Sequence, residues 1–170
     1  TYNIKAHWAL YCDNYLEGFH VPFVHPGLNE QLDYKAYDTE LYEYASLQLG
    51  VASQGSPSFD SIPSNHTDSG KDILAYYWWI FPNLMLNFYT WGLSINIVEP
   101  VDKDNTRVHF KTYLFNDHRA YTFSKEEIHQ TELEDEVVVE RVHQGLKSAF
   151  YKRGRFSPTK EQGVHHFHRL

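Results

Sequence analysis

Hydrophobic and polar positions change their period along the chain, and the changes mark its elements. Between Tyr37 and Leu49, Leu41, Ala45, Leu47 and Leu49 alternate with Glu40, Tyr42, Tyr44 and Gln48, a period near two that predicts one strand. Three more strand signals follow closely, Ala75 to Phe81, Leu84 to Thr90 and Leu93 to Glu99, with turns at Pro82-Asn83 and Trp91-Gly92. Arg107, His109, Lys111 and Tyr113 then alternate with Val108, Phe110, Thr112 and Leu114, predicting a further half-buried strand. After Ser124 the period lengthens. Ser124 with Glu127 forms a capping box, and Ile128, Leu133, Val137, Val142, Leu146 and Phe150 recur at roughly helical spacing. This predicts one long helix ending near Gly154, with Pro158 beyond it and a polar tail from Glu161 to Leu170.

Two stretches break the pattern. Near the start, Asp13 is placed to cap a helix that Pro22 and Pro26 must shorten or distort, since proline lacks a backbone donor and obstructs the preceding turn. From Gly50 to Lys71, repeated Ser, Gly and Pro predict a long mobile loop, readable as a lid, a partner-facing segment or a disordered insertion. Strands in succession followed by one long amphipathic helix predict an α+β domain over residues 1–170, a curled antiparallel sheet wrapped on a long C-terminal helix and enclosing a pocket.

Composition narrows the partners. Fifteen Lys and Arg against 22 Asp and Glu give a net charge of −7, which repels phosphate backbones and argues against nucleic acid. The run from Leu74 to Phe81 is far short of the ~20 apolar residues of a membrane helix. A single cysteine, Cys12, excludes an internal disulfide and suits a reducing, cytoplasmic setting. The chain starts at Thr1 with no targeting pattern, so it reads as part of a longer polypeptide.

Eleven histidines are many for this length. His7, His66, His109, His118, His129 and His143 stand apart and need only surface or packing roles, and nothing fixes the geometry of His165, His166 and His168 in the tail. His20 and His25 differ. Residues five apart on a regular helix diverge by about 140°, so one ion takes both imidazoles only if the helix breaks between them, and Pro22 supplies that break. An anionic third ligand is available in the run Glu132 to Glu136, where Asp135 borders the apolar stripe and Glu134 is its rival. The same run also reads as a solvated acidic first half of a helix, favoured by the helix dipole.

The segment Asp13-Asn14-Tyr15-Leu16-Glu17-Gly18-Phe19-His20-Val21-Pro22-Phe23-Val24-His25 resembles the iron-ligand segment of the Rieske-type non-haem iron oxygenases, in their α subunit. Phe81 to Tyr89, Glu134-Asp135 leading to Gln144 to Ser148, and Gly163-Val164 before His165-His166-Phe167-His168 extend the resemblance over nearly the whole chain, and it is closest to the branch of choline and carnitine monooxygenase-like proteins. Thr90 departs from it, standing where relatives often have proline. The resemblance implies a helix-grip, START-like fold. It puts Fe(II) on His20, His25 and Asp135, with positions left open for dioxygen beside the substrate. It makes Glu17 the acidic residue that couples the iron to an electron-donating cluster across a subunit boundary. Family members carry that Rieske [2Fe–2S] cluster on two cysteines and two histidines of an N-terminal domain, which a chain with Cys12 alone cannot provide.

The resemblance implies a mono- or dioxygenase acting on an aromatic or quaternary-ammonium small molecule, with electrons from NAD(P)H through a reductase or ferredoxin, in a homotrimer. Tyr76, Tyr77, Trp78 and Trp79 offer rings for an aromatic substrate or for cation–π attraction, though strand alternation sends only half of them inward. Two other readings compete: a metal-free container for apolar ligands, and a zinc hydrolase on the same ligands with Glu17 as general base.

Overall fold

A computed structural model of the protein describes residues 1–170, with side chains at every position except 122. The elements are β1 (Tyr2–Ile4), α1 (Trp8–Tyr15), α2 (Val21–Val24), α3 (Pro26–Gln31), β2 (Asp38–Tyr42), β3 (Ala45–Val51), β4 (Ile73–Ile80), β5 (Leu84–Tyr89), β6 (Gly92–Pro100), β7 (Thr106–Leu114), a 3₁₀ turn (His118–Thr122), α4 (Lys125–Leu146) and α5 (Gln162–Phe167). The architecture is α+β, with all seven strands in one antiparallel sheet ordered β1-β7-β6-β5-β4-β3-β2. Among the described residues no helix is long and apolar enough to cross a membrane.

The strand order positions the site. β1 and β2 are consecutive in the chain yet lie at opposite edges of the sheet. At ~4.8 Å per strand, the connection between them must cross about 29 Å. That connection carries α1, α2, α3 and the residues from Glu17 to His25. α1 packs against β6 on one side and α4 on the other. Its Tyr11 and Cys12, with Leu16 just beyond, enter the main core beside Trp79, Met85, Val98, Val108 and Val139.

β4 sends Ala75, Tyr77 and Trp79 to that face, opposite Gly50, Gln48 and Ser46 of β3. Leu47 and Leu49 point the other way, onto Ile73, Tyr76 and Trp78, where Phe59 and Ile62 pack on them. The segment from Gly50 to Lys71, expected to be mobile, is thus irregular but anchored. Its Asp68 is buried, accepting from Lys71 Nζ at 2.6 Å and from the Tyr76 hydroxyl at 3.3 Å.

Five local expectations differ from the structure. The strand expected over Tyr37 to Leu49 is the hairpin β2–β3, which pairs Tyr42 with Ala45 across Glu43-Tyr44. That turn uses no glycine, proline or positive φ, so composition hides it. The first helix starts at Trp8 rather than near Asp13, because the His7 side chain accepts from the Ala9 N–H as its cap; Asp13 lies inside α1 and binds His168 Nε2 at 2.8 Å. The long helix stops at Leu146, where the Lys147 N–H closes onto the Gln144 carbonyl and the Ser148 N–H onto the Gly145 carbonyl, well before Gly154. The tail beyond Glu161 is not merely polar: α5 buries Gly163, Val164 and Phe167 against α1 and Trp79.

The fifth difference is the orientation of α4. Its Ser124 cap is as expected, accepting from the Glu127 N–H. Yet Leu133, Val137, Val142 and Leu146 are exposed, while Val139 and His143 are buried. The inward face is largely polar, tied to the opening segment by Tyr11 to Glu132 (2.8 Å), Asn14 to Asp135 (2.7 Å) and the Lys5 N–H to Glu140 (2.8 Å). Hydrogen bonds rather than apolar burial set that interface, so the hydrophobic stripe indicates the wrong side.

Candidate metal centre

His20 and His25 bracket the four-residue helix α2, with Pro22 in its first turn. The chain leaves α2 at His25 with a non-helical backbone and re-enters helix at Pro26. This break does what the spacing requires, turning both imidazoles to one point. His20 Nε2 and His25 Nε2 lie 3.2 Å apart. Asp135 Oδ1, reaching across from α4, is 2.9 Å from His25 Nε2 and 3.5 Å from His20 Nε2. Among the described residues these three form the one group of His, Cys, Asp or Glu whose ligand atoms all lie within 4.8 Å of each other.

The outer nitrogens settle what those inner atoms are. His20 Nδ1 is 2.6 Å from Glu17 Oε1, and His25 Nδ1 is 2.8 Å from Glu134 Oε2. A carboxylate only accepts, so each Nδ1 carries a proton in the neutral ring, and each Nε2 presents a lone pair inward. Two lone pairs and a carboxylate oxygen then converge with no proton of their own to share, an arrangement a cation resolves. Ligands at ~2.1 Å and right angles would stand about 3 Å apart, close to the separations found, so the donor set fits a divalent metal.

Without a metal, protons take its place. Burial lowers the His20 pKa, but hydrogen bonds to Asp135 and Glu17 outweigh it and push it up to about 9. His25 is raised by Asp135 and Glu134 against the same desolvation. Asp135, which burial alone would raise, is held down at about 2 by the two imidazoles.

Glu17 sits behind His20 rather than on the ligand side. Its Oε2 accepts from the backbone N–H groups of Phe19 and His20, so both carboxylate oxygens are engaged in orienting the ring. Orienting the ring therefore competes with general-base work on a metal-bound water, which disfavours the hydrolase reading. Glu134, considered earlier only as the rival of Asp135, instead holds the far nitrogen of His25. Reasoning from sequence missed this, although the adjacency of Glu134 to Asp135 on one helix was the available signal.

Two cavities adjoin the centre. One, of about 100 Å³, touches Glu17, His20, His25 and Asp135 and is backed by Tyr15 and Tyr37. The other, of about 690 Å³, shares His25, Leu28, Tyr77, Tyr89 and Glu132 with the first and extends past Trp91. Tyr77 and Trp79 are the two inward rings of the aromatic run, but only Tyr77 lines a cavity, since Trp79 is core. The carboxyl of Glu132 is raised well above its usual range by burial and by Asp135, against the Tyr11 hydrogen bond. His165, His166 and His168 lie away from this point on α5.

A family model described as the ring-hydroxylating α subunit, catalytic domain, matches residues 1–170. The chain is 35% identical to a chloroplastic choline monooxygenase of Arabidopsis thaliana over 99% of its length and 39% of that protein's. It is 30% identical to the carnitine monooxygenase oxygenase subunit of Escherichia coli K12, covering all of the chain and 47% of the relative. The chain therefore spans less than half the length of these relatives. A quaternary ammonium Rieske monooxygenase superposes with a TM-score of 0.77 over 98% of the chain and 47% of its own, at 24% identity. A dicamba monooxygenase does so at 0.63 over 98% and 55%, at 15% identity; such likeness speaks to the fold. With its whole length matched by that family model, the chain belongs to the ring-hydroxylating α-subunit family and corresponds to its catalytic domain.

Proposed function

We propose that this chain is the iron-bearing catalytic domain of an oxygenase that hydroxylates a quaternary-ammonium small molecule. The convergence of His20 Nε2, His25 Nε2 and Asp135 Oδ1 within 4.8 Å carries the reading. Bound there, Fe(II) supplies dioxygen activation, drawing on electrons from NAD(P)H through a reductase or ferredoxin and a Rieske [2Fe–2S] cluster. Membership of the family, rather than the ligand set, supports iron over zinc.

The chain's own residues do the rest. Glu17 and Glu134 fix the imidazole orientations, and Asn14 fixes Asp135. Glu17 also stands where electrons would enter from a cluster outside this chain, on a neighbouring subunit of a homotrimer. Tyr15, Tyr37, Tyr77 and Leu28 wall the smaller cavity and keep water from the reacting end. The concave sheet face together with α4 forms the helix-grip container for substrate. The names of the similar proteins turn the substrate from aromatic to quaternary-ammonium. A cytoplasmic setting suits the single buried Cys12, as would the chloroplast, where the plant relatives are placed.

Anaerobic loading with Fe(II), addition of a reductase and ferredoxin donor, and a screen of quaternary-ammonium compounds test this. Substrate-dependent oxygen uptake with a hydroxylated product is expected. Fe(II) retention without uptake for any such compound would overturn the assigned reaction.

A further inference from the structure

Glu132 stands on the inward side of α4, one turn before Asp135, and lines both cavities. The other acids of the centre are occupied. Asp135 is a ligand, and Glu17 and Glu134 each accept from an imidazole N–H. Glu132 Oε2 accepts from the Tyr11 hydroxyl at 2.8 Å, while Oε1 makes no hydrogen bond among the described residues. One oxygen is thus fixed to α1, and the other is left for the cavities that the carboxyl borders.

Charge decides the form of that carboxyl. Neither cavity has a Lys or Arg in its wall, and Asp135, Glu17 and Glu134 already outnumber the charge of one divalent ion. A fourth carboxylate would stand uncompensated in an enclosed site, so Glu132 keeps its proton whether or not an ion is bound. Burial and the charge of Asp135 raise its pKa well above the usual carboxylate range; Glu136 adds to this and the Tyr11 hydrogen bond opposes it. Tyr2 of β1, Tyr15 of α1 and Tyr89 of β5 also sense Glu132, and none of them brings positive charge.

Dryness gives that proton a use. Hydroxylation by dioxygen puts one oxygen atom into the substrate and releases the other as water, which consumes two electrons and two protons. Tyr15, Tyr37, Tyr77 and Leu28 keep water from the reacting end, so a proton delivered there has to come from a side chain. The imidazole Nδ1 protons are held by carboxylates, and the Tyr15 hydroxyl donates to Asn87 Oδ1 at 2.7 Å. A neutral carboxyl on the wall is the stronger acid and the freer one.

We infer that Glu132 is the proton donor of this site, its neutral carboxyl giving one of the two protons to the oxygen atom that leaves as water. The carboxyl O–H bond breaks and an O–H bond forms on that oxygen. The carboxylate left behind regains a proton from solvent through the larger cavity, whose wall includes the exposed Glu30, Glu126 and Glu127. The electrons are those of the NAD(P)H-fed donor already proposed. The inference rests on the oxygenase reading for the destination of the proton, and on the charges around Glu132 for its presence.

Infrared difference spectra of the protein loaded with redox-silent Zn(II), at neutral pH, test the proton itself. The parent should show a protonated-carboxyl C=O band that moves in D2O and is missing from Glu132→Gln. Tyr11→Phe keeps the acid and removes its hydrogen bond, so it should move the same band to higher frequency, a readout that stands even where Glu132→Gln folds poorly. With Fe(II), the electron donor and a quaternary-ammonium substrate, Glu132→Gln should hold iron as the parent does and hydroxylate about a hundredfold more slowly. Absence of a band that responds to these substitutions, or hydroxylation by Glu132→Gln at the parent rate, would overturn the inference. The band in a parent that hydroxylates no such compound would overturn the oxygenase reading and leave the neutral carboxyl standing, and hydroxylation without the band would do the reverse.

Discussion

Glu134 and Asp135, consecutive on α4, hold one imidazole by its two nitrogens: Glu134 Oε2 lies 2.8 Å from His25 Nδ1 and Asp135 Oδ1 lies 2.9 Å from His25 Nε2. One carboxylate faces the point where both histidines converge, and its neighbour faces away from it. The two therefore differ in what their loss does. Asp135→Ala should abolish Fe(II) retention, whereas Glu134→Ala should keep the ion with affinity lowered about ten- to a hundredfold. Metal analysis after chelator competition distinguishes them, and equal loss in both variants would contradict the assignment.

Glu17 acts on the other histidine in the same way. With Oε1 on His20 Nδ1 and Oε2 on two backbone amides, its removal frees both the ring and the turn that carries it. Glu17→Ala should weaken Fe(II) binding about ten- to a hundredfold, and Glu17→Gln, which keeps an oxygen for the ring, should weaken it less. Identical affinities in the two variants would show that the carboxylate does not orient His20.

The convergence of His20 and His25 was legible because two histidines about a proline are local and unusual, whereas the acid-rich run left Asp135 and Glu134 as rivals until the family resemblance chose Asp135. The meander of β4 to β6 was legible because strand signals separated by Pro-Asn and Trp-Gly turns mark it, and β7 because of its period-two alternation. The hairpin at Glu43-Tyr44 was not, since its turn residues carry no turn signature. α5 is six residues long and starts beside a glycine, too short for a helical period to emerge. The face of α4 was misread for a physical reason: its inward side carries the polar residues of the site, so its apolar residues had to lie elsewhere.

That orientation has a direct stability consequence. Val139 is 2% exposed within the main core, while Val137 is 46% exposed. Val139→Ala should destabilise the protein by about 1–3 kcal/mol through lost burial and a residual cavity, and Val137→Ala should stay within about 0.5 kcal/mol of the parent. Chemical denaturation measures both, and the reverse order would mean that α4 faces the other way.

The last helix makes a separate commitment. A Cβ built on Gly163 would stand 2.6 Å from the Leu16 carbonyl oxygen, backbone against backbone. Gly163→Ala should force α5 away from α1 at a cost of about 1–3 kcal/mol, lowering the thermal midpoint by roughly 2–12 °C. An unchanged midpoint would show that α5 does not dock where the structure places it.

Iron content bears on the centre most directly. After anaerobic reconstitution with Fe(II) and desalting, the parent protein should hold about one ion per chain, and His20→Ala, His25→Ala and Asp135→Ala, each still folded by circular dichroism, should hold almost none. Retention of iron at the parent level in any of the three, or a parent that binds none, would contradict the metal centre on which the proposed chemistry depends.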